Sequence, residues 1–242
     1  MTIEQVEELR VQEMEGTLRM PKLLIDENDI EKAHGIRWAI FSMLKSEKFF
    51  QKLTCKSILR KLGVEISGNG SGKKKYILKT PFGEGECFKV EYLFKGKNNP
   101  LEVGKCFSNS FNMASAMVQL PDIETCDCVS GILYTKGDNC KSNILHSVFE
   151  LKGYVVDVNF GLCISKELYY KIFMFEELVR LSGQQINEAK EILSQPESRE
   201  IAAGFNLKSY HLVFALDDFI DFLTNKERQN NHENFSELNY RY

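Results

Sequence analysis

The run GKCFSNSFNMASAMVQL (residues 104–120) places Cys106 just after a glycine and a lysine, at the opening of a segment with helical spacing. A thiol there meets the positive end of a helix dipole and backbone N–H groups without intrahelical partners, which favour the thiolate. The same N–H groups can hold the oxyanion that forms when a sulfur attacks a carbonyl. A thiol nucleophile also needs a base that takes or shares its proton, and a third group that orients the base. Four histidines are available: His34, His146, His211 and His232. His34 falls on an early helix, His211 opens the last apolar helix, and His232 lies in a polar tail. His146 alone is expected on a strand that follows the cysteine helix.

The third group comes from counting along NILHSVFELKGYVVDVNFG (residues 143–161). Lys152-Gly153 is read as its turn. With those two residues at the turn, Leu151 pairs with Tyr154, Phe149 with Val156, Val148 with Asp157 and His146 with Asn159. Cross-strand partners share a face, and so do residues two apart on one strand. His146, Asp157 and Asn159 are therefore expected on one side of the sheet. Either Asp157 or Asn159 could fix the imidazole tautomer.

A scaffold has to bring these residues together, and the rest of the chain suggests one. Residues 1–25 have mixed polarity and are expected as an arm or a marginal helix. Residues 26–50 carry acids in the first turn, then Ile30, Ala33, Ile36 or Arg37, Ala39 or Ile40, and Met43 or Leu44 at helical spacing. A second helix over Glu47–Leu62 is expected to bury Phe49, Phe50, Leu53, Ile58 and Leu62. From Gly63 the period changes, and short β-branched and aromatic runs separated by GNGSG and GEGE mark hairpins. The cysteine helix runs for about four turns, to Pro121. CDCVSGILYT (126–135) reads as a strand. SKELYYKIFMFEELVRLSG (165–183), QQINEAKEILSQ (184–195) and SYHLVFALDDFIDFLTN (209–225) read as helices. Helices, then strands, then helices argue for an α+β fold. The expected organisation is an N-terminal helical region (1–62), a core with C-terminal helices (63–225) and a flexible polar tail (226–242).

A cysteine opening a helix, a histidine on a later strand and an Asp or Asn on the next strand follow the order found in papain-like and transglutaminase-like enzymes. LHSVFELKGYVVDVN resembles the transglutaminase-core hairpin, and the likeness covers roughly residues 100–165. The resemblance implies a helix packed on an antiparallel sheet and an acyl-enzyme intermediate. It also implies Cys106 as nucleophile, His146 as base and Asp157 as orienting residue. The chain departs from the pattern in two places. Val148 stands where an aromatic often follows the histidine, and no glutamine precedes Cys106 to build an oxyanion hole. Asn98 and Asn99 are nearby amides, with Asn99 the candidate donor beside the backbone N–H groups at Cys106.

Composition narrows the function classes. The 242 residues are 43% hydrophobic and 27% charged, with a formal net charge of −3, so the whole chain implies no polyelectrolyte partner. The charge is uneven, with 14 Lys/Arg against 6 Asp/Glu over residues 45–105 and 4 against 9 over residues 1–33. Solvated lysines explain the basic stretch most simply. An acidic partner is its other use, and nucleic acid is not expected. No stretch approaches the roughly 20 apolar residues of a membrane span, and the N-terminus has no signal-peptide pattern. A soluble, cytoplasmic protein with free thiols and no membrane partner is expected from seven cysteines in such a chain.

Two competing sites are weaker. SGNGSGKKK resembles a phosphate loop, but Ser67 stands where its first glycine belongs and Lys74 where magnesium needs Ser or Thr. Cys126, Cys128, Cys140 and His146 could ligate zinc, yet C-x-C without C-x-x-C pairs lacks the usual zinc knuckle. Cys55, Cys87 and Cys163 read as packing residues. The expectation is a thiol-dependent acyl-transfer enzyme, whether peptidase, deamidase or transglutaminase, acting on a protein or peptide without a cofactor. The alternative is a non-catalytic module on the same fold that binds an acidic partner through its basic face.

Overall fold

The computed structural model describes residues 1–18, 27–46, 48–68, 75–90, 105–121, 123, 125–134, 143–204 and 208–225. Its strands are β1 (Glu65–Gly68), β2 (Lys75–Thr80), β3 (Gly83–Lys89), β4 (Cys126–Tyr134), β5 (Asn143–Leu151), β6 (Tyr154–Asp157), β7 (Leu162–Ser165) and β8 (Phe175–Leu181). They form one sheet in the order β1-β2-β3-β7-β6-β5-β4-β8, antiparallel at every pairing. The helices are α1 (Ile3–Glu15), α2 (Glu27–Lys45), α3 (Phe49–Lys61), α4 (Cys106–Met117), α5 (Lys166–Ile172), α6 (Gly183–Ser194), α7 (Pro196–Gly204), α8 (Ser209–Phe214) and α9 (216–225). The protein is thus a mixed α+β structure with a large antiparallel sheet.

Side chains that alternate along the strands feed two cores, one on each face. Phe149, Val156, Cys128 and Cys163 join Phe107, Phe111 and Ala114 of α4 and Phe214 and Phe219 of α8 and α9 in the first core. Val148, Val155, Ile164 and Val129 join Ile36, Ile40 and Met43 of α2, and Leu168 and Tyr169 of α5, in the second. The apolar stripe expected on α2 is buried, with Ala33, Ile36, Ala39, Ile40, Met43 and Leu44 all inside. Residues 1–18 hold a docked helix in place of a loose arm. A capping box between Thr2 and Gln5 opens α1, and Gly16 in the left-handed region closes it.

Three expectations are corrected. The segment 165–183 is not one helix: α5 stops at Ile172, Met174 takes a φ of 45°, and Phe175–Leu181 becomes the edge strand beside β4. FEELVRL reads as helical by composition, but its ladder with β4 overrides that preference. The outward stripe of α3 is also reversed. Cys55 and Leu59 are its buried residues, whereas Phe49, Phe50, Leu53 and Ile58 are exposed. Two apolar stripes are available at helical spacing, and α2 and β1 cover only the narrower one. Lastly, His146 does not pair with Asn159, because β6 ends at Asp157 and residues 158–161 turn out of the sheet.

Candidate active site

The hairpin that carries the histidine is set by its turn. Lys152 and Gly153 both take positive φ, 49° and 80°, which matches the strand twist in a two-residue connection. Leu151 then pairs with Tyr154 and Phe149 with Val156, as counting from the turn requires. That register puts His146 and Asp157 on the same face, and the fold closes the gap: His146 Nε2 lies 2.8 Å from Asp157 Oδ2. Both side chains are buried.

Asp157 is held from three directions. Its Oδ2 also accepts the Tyr169 hydroxyl at 2.8 Å, and its Oδ1 accepts the Phe160 N–H at 3.0 Å. Tyr169 is wholly buried and stacks on Phe173, with ring centroids 4.2 Å apart. Burial and then the Asp157 carboxylate push its phenol far up, so the hydroxyl remains a donor. Arg37 locks the neighbouring turn by donating to the carbonyls of Tyr134 and Phe173, each at 2.8 Å. Phe160 and Phe175 flank the imidazole, at centroid distances of 5.5 and 6.5 Å. Gly131 is the cross-strand partner of His146, and a Cβ there would fall 1.9 Å from the Glu176 carbonyl oxygen. A bulge between Ser130 and Gly131 makes that close approach, which only glycine tolerates.

Cys106 approaches from the opposite core. It is the first residue of α4 and packs with Phe107 and Phe111 in the first core, whereas the His146 ring stands among aromatics of the second. The two faces communicate because the β5–β6 ladder ends at Phe149–Val156, leaving β5 without a β6 partner beside His146. The Cys106 sulfur lies near enough to the imidazole there to push the ring up. Nε2 is turned to Asp157, which leaves Nδ1 as the ring's other nitrogen. The residues that follow Cys106 hold α4 in place: Ser110 donates to Ser147 O at 2.7 Å, and Ser108 bonds Ser209 at 2.9 Å. Asn109 donates to Asn159 Oδ1 at 2.9 Å. Asn159 is therefore a tether between the turn and α4, and among the described residues Asp157 is the carboxylate that bonds the ring.

The electrostatics follow from this enclosure. Burial by itself pushes the His146 ring down, but the Asp157 carboxylate and then the Cys106 sulfur outweigh it, and the net result is a rise to about 10. The Asp157 carboxylate thus favours the protonated ring. Lys105 supplies no side-chain cap to α4, and the first helical hydrogen bond runs from Asn109 N–H to Lys105 O at 2.9 Å. The N–H groups of Cys106 to Ser108 precede that ladder, where an oxyanion would be met.

The remaining described cysteines differ in kind. Burial pushes the thiols of Cys55 and Cys87 up, and those of Cys126, Cys128 and Cys163 up to about 12. Cys126 and Cys128 share a face with Phe149 and Leu151, opposite to the face that holds His146. The proposed zinc set is thus split across the sheet. Cys140, Asn98, Asn99, residues 69–74 of the glycine-rich loop and the tail from Lys226 lie outside the described residues. Residue counting did not find Tyr169, Phe160 or Asn109. Of these, the Asp157–Phe160 contact had a weak signal, because an aspartate entering a turn tends to accept a backbone N–H shortly after it.

The site defines a class by its chemistry, a helix-borne thiol coupled to a carboxylate-held imidazole. No family model, no curated protein and no solved structure matches this chain.

Proposed function

We propose that the chain is a thiol-dependent acyl-transfer enzyme with a papain-like or transglutaminase-like core. One observation carries the reading: a buried His146–Asp157 hydrogen bond of 2.8 Å has beside it the Cys106 sulfur, at the first residue of a helix packed on an antiparallel sheet. In the proposed reaction, Cys106 Sγ attacks the carbonyl carbon of an amide, and the C=O electron pair moves to oxygen. Backbone N–H groups at the start of α4 hold that oxyanion. As the tetrahedral species collapses, the C–N bond breaks and the leaving amine takes the proton from His146 Nδ1, giving a thioester. Water or a second amine then attacks the thioester and passes its proton back to His146, and the C–S bond breaks to release the acyl product and return the Cys106 sulfur. Water as acceptor makes a peptidase or deamidase, and an amine makes a transferase. A protein or peptide substrate fits both. The six described cysteines are free thiols, which supports a reducing, cytoplasmic setting.

A panel of electrophilic peptide probes tests the reading on wild type, Cys106→Ala and His146→Ala. Wild type should label at one site, Cys106→Ala should lose that label, and His146→Ala should slow it at least a hundredfold. Equal labelling of wild type and Cys106→Ala would overturn the assignment and favour a binding role for the fold.

A further inference from the structure

The corner where α2 meets α3 presents a surface that neither core uses. Phe49 is 68% exposed, Phe50 81% and Leu53 46%, with Trp38 of α2 at 64%. Single exposed apolar residues are ordinary, but several large ones on one helical corner mark an interaction site. Trp38 stacks on Phe41, and Lys45 stands 4.2 Å over the Phe41 ring. The same stretch of chain is rich in cations: residues 45–61 hold Lys45, Lys48, Lys52, Lys56, Arg60 and Lys61 against one acid, Glu47. The first turn of α3 has no acidic residue, and Lys48 is its N-cap. Positive charge at a helix N-terminus is unfavourable in water, and an anionic surface in front of it reverses the sign. The charges and the aromatics therefore ask for one occupant, anionic at its surface and apolar beneath.

A protein partner fits less well. Protein interfaces deplete lysine and favour arginine, whereas five of these six cations are lysines. Lysine stems can lie along an apolar layer while the ammonium stays among headgroups. We propose that the α2–α3 corner is a peripheral docking site for anionic lipid bilayers. Phe49, Phe50 and Leu53 enter the boundary between headgroups and acyl chains, and the lysines meet the anionic headgroups. No helix among the described residues is long and apolar enough to cross a membrane, and surface docking requires none. The site is independent of the thiol chemistry.

Vesicle flotation of the full chain tests it, with pure phosphatidylcholine against phosphatidylcholine containing about a third phosphatidylserine. Wild type should float with the anionic vesicles only, and should be released as salt rises well above about 0.15 M. Trp38, the single tryptophan of the chain, should shift its emission to the blue on binding. Lys48→Gln with Lys52→Gln should weaken binding by about 25-fold, roughly fivefold for each lysine. Phe49→Ala with Phe50→Ala should weaken it at least tenfold. Lys48, Phe49 and Phe50 are exposed and Lys52 is half-buried on the helix surface, so both variants should keep the wild-type circular dichroism and probe labelling. Failure of wild type to float with anionic vesicles would overturn the proposal, as would flotation unchanged in the phenylalanine pair. A dimer in sedimentation that only the phenylalanine pair dissolves, without vesicle binding, would assign the patch to a second copy of the chain.

Discussion

Two histidine–carboxylate–tyrosine clusters in this molecule have almost the same hydrogen bonds. In one, Asp157 Oδ2 accepts from His146 Nε2 and from Tyr169 at 2.8 Å each. In the other, Glu7 Oε1 of α1 accepts from His211 Nε2 at 2.7 Å and from Tyr210 at 2.8 Å. The difference lies at the second ring nitrogen. His211 Nδ1 accepts the Lys208 backbone N–H at 2.8 Å, so that ring is committed on both sides to structure. No such backbone bond to His146 is seen among the described residues, and the Cys106 sulfur lies near enough to push that ring up. The carboxylates differ as well, since the Glu7 side chain is 43% exposed and that of Asp157 is fully buried. The His211 cluster clasps α1 to α8. The His146 cluster is built the same way but has a thiol beside its ring.

The largest expected effect comes from inverting the tautomer in each cluster. In Asp157→Asn, the side-chain oxygen can keep the Phe160 N–H while the amide NH2 faces His146 Nε2. The ring must then accept at Nε2 and carry its proton on Nδ1, where it can no longer take one from the sulfur. Probe labelling and turnover should fall by roughly 10³ to 10⁴ with the fold retained. Glu7→Gln makes the same exchange at His211 and should leave both rates within about twofold, costing only on the order of 1 kcal/mol of stability. Equal losses in the two variants would mean that α1 docking, and not the His146 ring, limits the chemistry.

A second effect is read in stability against pH. The folded His146 ring holds its proton to about 10, against 6.5 for an unperturbed ring. Between those values the folded chain carries the extra proton, so this contribution is complete below about 6.5 and is lost as pH rises toward 10. The measurement compares wild type with His146→Gln: the unfolding free energy of wild type, and not that of the variant, should fall between pH 6.5 and 8.5 with a slope of up to about 1.4 kcal/mol per pH unit. Above that range the buried cysteines also contribute, because their thiols ionise more readily once unfolded. The same slope in both proteins would show that the His146 ring does not carry this pH dependence.

The sequence made the His146–Asp157 pairing legible because a two-residue turn leaves only one register, and register alone assigns faces. Cys106 at a helix start was legible for the same local reason. What could not be read is long-range. Nothing along the chain indicates that β6 stops at Asp157 and leaves His146 without a β6 partner. Tyr169 and Tyr170 are adjacent and alike, yet only Tyr169 reaches Asp157, while Tyr170 bonds Glu150 at 2.7 Å in a surface network with Arg180 and Lys166. The choice depends on where α5 sits against the sheet. The outward face of α3 was misread because two apolar stripes compete at helical spacing, and only packing against α2 decides between them.

The smallest effect separates the two tyrosines. Tyr169→Phe removes one of three donors from a buried carboxylate, and hydrogen bonds to charged groups contribute about 1.5–3 kcal/mol. The ring stack on Phe173 survives the change, so the protein should fold with a melting temperature several degrees lower. With that donor gone, the Asp157 charge is less shared and pulls harder on the imidazolium. The alkaline limit of turnover should therefore move upward, and the rate near neutrality should change by no more than about tenfold. Tyr210→Phe removes the matching donor from half-exposed Glu7, where water can replace it. It should cost about 0.5–1 kcal/mol and leave the pH profile in place. A shifted profile in Tyr169→Phe with an unshifted one in Tyr210→Phe identifies Tyr169 as a positioning residue acting through Asp157. Unchanged profiles in both would reduce it to a packing residue that happens to carry a hydroxyl.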